Sequence, residues 1–262
     1  MTSMKAFLTR HPVAAYFVLT FGISWGGVLV VIRNYNDVSW SLFDNPLFPF
    51  AVLAMVAGPS VTGLVLTGLI DGSAGLRALR SRLLKWRVGA RWYAVALLAA
   101  PIPATLVALI LSSFSTEFIP GIFLNQDKAA GVRLGLVAGV TAGFFEELGW
   151  TGFAIPRLRQ RQGVLATGLI AGALWSAWHL LVVAWGMGDR AGTIPVALFM
   201  LVDGMASLPA FRVLMVWVYD RTGSLCVAML MHASLTACTL ILAPRATGPA
   251  LLANGVGFAA AA

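Results

Sequence analysis

The stretch GLVAGVTAGFFEELGWTGF, residues 135–153, is apolar from end to end apart from Thr141, Thr151 and two adjacent glutamates, Glu146 and Glu147. A charged side chain in the hydrocarbon of a bilayer costs several kcal/mol. Either the run is not in a membrane, or the glutamates face something other than lipid. The rest of the chain answers the first question. Of 262 residues, 59% are hydrophobic and 11% are charged, against about 25% charged in an ordinary soluble domain. A spanning helix needs roughly 20 mostly apolar residues. Such runs recur near 12–32, 48–70, 92–114, 132–154, 164–186, 194–218 and 224–243. A barrel would show short alternating segments instead. The predicted fold class is therefore all-α, a polytopic transmembrane helical bundle of about 7–8 spans, forming a single integral membrane domain over residues 1–262. The tail ATGPALLANGVGFAAAA, residues 246–262, is either a short eighth span or an interfacial segment.

The net charge of +8 could signal nucleic acid, but the basic residues sit in short loops between the apolar runs, which points to anionic lipid and to no nucleic-acid partner. Lys5, Arg10, Arg77, Arg80, Arg82, Lys85, Arg87, Arg91, Arg157, Arg159, Arg161 and Arg221 fall on one side of the predicted topology. Arg33, Lys128, Arg133, Arg190 and Arg245 fall on the other. The positive-inside rule then places the N-terminus in the cytoplasm of a multi-pass protein of the cell membrane. The first apolar run exceeds the ~7–15 residues of a signal-peptide core, so an uncleaved first span is expected. Gly75–Trp92 mixes leucine with arginine and reads as an amphipathic helix on the inner surface, or simply as a topology determinant. Cys226 and Cys238 lie in one run, about 18 Å apart along a helix, too far to bridge.

Ionisable groups inside spans are functional candidates. Besides the glutamates, the runs hold His179, Asp203, Arg212 and His232. A carboxylate with imidazoles suits water activation, the carboxylate as base and the histidines sharing the proton or holding an oxyanion. The same Glu146, His179 and His232 could instead ligate a zinc ion, Zn(2+), with a position open to water. Adjacent residues on a helix project about 100° apart, so one glutamate takes the chemistry and the other an orienting or structural role. Counted from the predicted span ends, Glu146 and His232 both lie ~12 Å deep and His179 ~22 Å. A fifth span that starts later than residue 164 would remove the mismatch. Gly143 and Gly149, flanking the pair, would let neighbouring helices approach.

EELGWTGFAIPRL, Glu146–Leu158, resembles the first motif of the CPBP intramembrane endopeptidases, which include the CAAX prenyl endopeptidases and the bacteriocin-processing or Abi proteins. Trp175 and His179 match the spacing of the second motif, an aromatic followed by histidine. His232 and Thr236 occupy the positions of the third. The resemblance covers about residues 130–240. It implies peptide-bond hydrolysis in a membrane-associated or lipid-modified, prenylated-type peptide or protein substrate. Glu146 and His179 would activate water, His232 with Thr236 would hold the oxyanion, and Glu147 completes the glutamate pair. Family members are often labelled metalloproteases, and a metal-free reading is also held. Thr151 stands where the first motif usually carries arginine, and Thr236 stands where the third often carries asparagine. These departures leave open a non-catalytic bacteriocin-immunity or binding protein on the same scaffold. A proton-coupled transporter would show related halves, and the sequence has no such repeat.

Overall fold

The structure, a computed structural model, describes residues 3–33, 46–183, 193–244 and 246–261. A short helix α1 (Ser3–Arg10) leads into α2 (Pro12–Ile32), which begins on a proline because the first turn needs no N–H there. Helix α3 (Phe48–Leu83) is two helices joined at Gly72, whose φ of 65° suits a residue without a Cβ. Helices α4 (Ala90–Leu98) and α5 (Pro101–Ser112) follow end to end, then a short α6 (Gly121–Leu124). Helix α7 (Lys128–Gly149) starts where the Asp127 side chain accepts from Ala130 N at 2.8 Å, and it runs through a π turn (Trp150–Ala154) into α8 (Ile155–Leu158). Helix α9 (Val164–Trp178) continues as α10 (Leu180–Val182), and α11 (Val196–Phe199) passes through a second π turn (Met200–Gly204) into α12 (Met205–Thr222). Gly223, at φ 58°, ends α12 in the left-handed conformation. Helix α13 (Leu225–Leu242) is capped by Ser224, and α14 (Gly248–Ala261) closes the chain.

Among the described residues, seven helical stretches are long and apolar enough to cross a bilayer: 12–32, 48–83, 90–112, 128–158, 164–182, 196–222 and 225–242. The protein is a polytopic helical bundle. Two expectations need correction. The amphipathic helix over Gly75–Trp92 stops at Leu83, and residues 85–89 are not helical. The fifth helix does begin at Val164. The tail forms a helix over Gly248–Ala261, shorter than the seven spanning stretches. It packs back against α5 and the second π turn. Arg190 and Arg245, two of the charges used to read orientation, lie outside the described residues.

Glycine decides which helices touch. Lipid is as apolar as leucine, so spans associate where small residues let backbones meet and van der Waals contact accumulates. On α7, Gly135, Gly139 and Gly143 recur every four residues and face α13. A Cβ at Gly135 would meet Ile241 Cγ1 at 2.6 Å, and one at Gly143 would meet Ala233 N at 2.9 Å. Gly168 and Gly172 of α9 do the same against Val213 and Pro209 of α12, and Gly58 of α3 against Thr20 and Ser24 of α2. Three close-packed pairs result, α7 with α13, α9 with α12, and α2 with α3.

The basic side of the predicted topology forms one end of the bundle, and three of its arginines face protein rather than lipid. Arg82 of α3 donates to Tyr219 Oη at 2.8 Å and to the Gly152 carbonyl of the first π turn at 3.0 Å. Arg157 pairs with Asp71 and donates to the Phe153 carbonyl at 3.1 Å. Arg159 reaches Asp220 through Nε at 2.9 Å and Nη2 at 2.6 Å. Ser224 ties the start of α13 to the same end by donating to the Lys85 carbonyl at 2.6 Å.

Candidate active site

Glu146 and Glu147 occupy the last turn of α7, directly before the π turn. The wall behind them comes from α2 and α3. Ser60 donates to the Phe145 carbonyl at 2.6 Å. A Cβ at Gly149 would collide with the Pro59 carbonyl and the Tyr16 hydroxyl, so α7 approaches α3 here only because residue 149 is glycine. Tyr16 stacks on Phe153 at 5.3 Å and meets Trp150 edge-on at 5.7 Å.

All the charged groups here are buried: relative exposure is 4% for Glu146, 1% for His232 and 0% for Glu147 and Arg212. Arg212, from α12, gives Nη1 to both oxygens of Glu147 at 2.8 and 2.9 Å. Thr151, one turn after Glu147, donates its hydroxyl to Oε2. His232 Nδ1 stands 2.7 Å from Glu147 Oε1, and its Nε2 faces Glu146 Oε2 at 3.9 Å. Glu146 Oε2 accepts from Trp175 Nε1 at 2.9 Å and from Trp150 Nε1 at 3.3 Å.

Trp175 is the hub. The Arg212 guanidinium lies 4.1 Å from its ring centroid, and the rings of His232 and His179 stand at 4.9 and 5.7 Å. His179 Nδ1 donates to the Trp175 carbonyl at 2.9 Å, which leaves Nε2 as the imidazole's acceptor when neutral. The structure thus joins Glu146, Glu147 and His232 directly and brings His179 alongside through Trp175. Thr236 is half-buried one turn beyond His232 on α13. Counting from helix ends does not measure depth here, because the ends do not lie level. The helical stretch that carries Glu146 continues twelve residues to Leu158, about 18 Å, while His232 lies seven residues into α13, about 10 Å, and their side chains still meet.

Sequence reasoning passed over Arg212 as a partner. The signal was an arginine inside a span, but nothing in the linear order says that it reaches Glu147. Asp203, also flagged, stands in the second π turn beside Gly255 of α14. Among the described residues no hydrogen bond or ion pair joins it to the glutamates.

A family model described as Type II CAAX prenyl endopeptidase Rce1-like matches residues 128–238, the stretch that holds both glutamates, both histidines, Trp175 and Arg212. Residues 128–238 are thus similar to that endopeptidase family. A CAAX prenyl protease 2 of Methanococcus maripaludis is 34% identical over 71 residues, which are 27% of this chain and 21% of that protein. The chain therefore matches about a fifth of that relative's length. Helices α1–α6 precede the matched stretch, yet Tyr16, Pro59, Ser60 and Arg82 brace it. The cation usual at position 151 of the CPBP motif is absent locally, and Arg212 brings one to Glu147 from another helix.

Among the described residues no three His, Cys, Asp or Glu side chains come together as a metal-binding group. Catalytic zinc takes three protein ligands and a water. Here Glu146 Oε2 is already the acceptor of two indoles, and a guanidinium neutralises the adjacent carboxylate.

Proposed function

We propose that this chain is an intramembrane endopeptidase of the CAAX prenyl endopeptidase type, which hydrolyses a peptide bond in a membrane-associated, prenylated-type substrate. The observation that carries the reading is the facing pair Glu146 Oε2 and His232 Nε2, 3.9 Å apart, inside the stretch similar to that family. A water set to one side of that line would stand in hydrogen-bond reach of both. Glu146 takes a proton from the water as it attacks the substrate carbonyl, with His179 Nε2 beside it. His232, its Nδ1–H given to Glu147, turns Nε2 toward the site. Protonated there, it holds the developing oxyanion together with the Thr236 hydroxyl. Glu146 then returns the proton to the leaving amine, so the water's atoms are divided between the two products. Buried, water-poor surroundings strengthen each of these contacts.

Glu147 orients and does not react, because its oxygens are already committed to Arg212, Thr151 and His232. The lost arginine at position 151 was the reason to consider a non-catalytic immunity or binding protein, and Arg212 supplies that charge. The reading needs no metal. The protein sits in the cell membrane with its N-terminus and basic end in the cytoplasm, among lipids whose anionic headgroups suit that end. The test is cleavage of a prenylated CAAX peptide by purified protein in liposomes. Glu146→Gln lowers turnover about 10²–10⁴-fold, the usual contribution of a general base. Full turnover by Glu146→Gln would overturn the assignment.

A further inference from the structure

Two chemically identical carboxylates sit side by side in this site, and the protein sorts them by their donors. Glu147 receives the guanidinium of Arg212, through two bonds of 2.8 and 2.9 Å, and the Thr151 hydroxyl. Among the described residues, Glu146 receives neutral indole N–H groups, both on Oε2. Among the described residues no protein hydrogen bond reaches Glu146 Oε1. One glutamate is therefore held as a fixed, ion-paired acceptor for His232 Nδ1–H. The other keeps a free oxygen for chemistry.

We infer that Arg212 is a positioning residue for the hydrolytic site, acting on both glutamates at once. Through Nη1 it pins Glu147, and with it the ring of His232. Through its face, 4.1 Å from the Trp175 ring, it steadies the indole whose N–H holds Glu146 at 2.9 Å. The local sequence makes room for this. Gly172, three residues before Trp175, lets α9 pass α12 so closely that a Cβ there would stand 3.1 Å from Arg212 Cβ. A larger residue at 172 would push the guanidinium away from the indole. Lysine is a poor substitute at such a position. Its ammonium is a point charge, while the planar guanidinium both donates in its plane and stacks on an aromatic face.

The activity arm of the test rests on the endopeptidase reading, and a second arm does not. The chain has three histidines, His11, His179 and His232, so ring-nitrogen NMR signals of histidine-labelled protein are few enough to assign by substitution. In the wild type, His232 Nδ1 lies 2.7 Å from Glu147 Oε1. Arg212→Met leaves a buried carboxylate without its cation, so Glu147 and His232 redistribute their protons and the His232 signals move. Turnover falls about 10–100-fold with KM little changed, the scale of a misplacement near 1 Å. Arg212→Lys keeps the charge and falls between the two. Should Arg212→Met fail to fold, the paired variant Glu147→Gln with Arg212→Met removes both buried charges, retains the fold, and gives the same displaced signals and lowered kcat. Wild-type His232 signals or wild-type kcat in the folded variant overturns the role assigned to Arg212. If the wild type cleaves no substrate, the endopeptidase reading fails, and the NMR arm still decides whether Arg212 holds His232.

Discussion

Replacing Gly143 with alanine should disable the site without touching any of its polar groups. Gly143 lies on the face of α7 that meets α13. A Cβ there would stand 2.9 Å from Ala233 N, and nearer still to the Met229 carbonyl, where ordinary contact begins at 3.4 Å. Both neighbours are backbone atoms, so no side-chain rotation relieves the clash. The helices must part by about 1 Å, since a packed interior has no slack to absorb an added methyl. Helix α13 carries His232, whose Nδ1 is now 2.7 Å from Glu147 Oε1. A retreat of that size stretches the contact to about 3.7 Å, beyond the hydrogen-bond range, and widens the gap to Glu146 as well. The expected cost is about 1–3 kcal/mol of stability for overpacking and about 10²-fold in kcat/KM for the misplaced imidazole. The assay compares prenylated-peptide cleavage in liposomes with thermal unfolding in detergent, scaled to folded protein. Wild-type turnover in Gly143→Ala would show that the spacing of α7 and α13 does not set the site.

Other consequences follow from the same geometry. Glu147→Ala strands a fully buried guanidinium and should destabilise by about 3–5 kcal/mol; a fall in stability under about 1 kcal/mol in a denaturation series would mean that the pair is solvated. Single cysteines at Arg77 and Arg161 should resist a membrane-impermeant thiol reagent added outside intact cells, and clear labelling at either would reverse the orientation. A strong chelator should leave turnover unchanged, and loss of cleavage restored by added zinc would overturn the metal-free reading.

Hydropathy made most of the fold legible. Whether a segment enters a bilayer depends on its own length and transfer free energy, both local properties of the chain. The first span was expected over residues 12–32 and is a helix over those same residues. Breaks within spans were less legible. Nothing in Gly75–Trp92 forces the helix to stop at Leu83, whereas the chain beyond it is anchored by the Ser224 hydroxyl on the Lys85 carbonyl.

The candidate site divides in the same way. Glu146, Glu147, His179 and His232 stand out in the sequence because ionisable groups in hydrocarbon are expensive and need a reason to be there. Their order along the chain, and the arginine missing at position 151, were equally visible. The bundle alone decided which glutamate is paired and which is left open. Arg212 lies 65 residues from Glu147, and no local pattern links them. Their meeting depends on the glycines of α7 setting α13 against it and on those of α9 setting α12, a consequence of helix packing in three dimensions. Sequence fixes the cost of each charge in the membrane, while the fold determines the partner that offsets it.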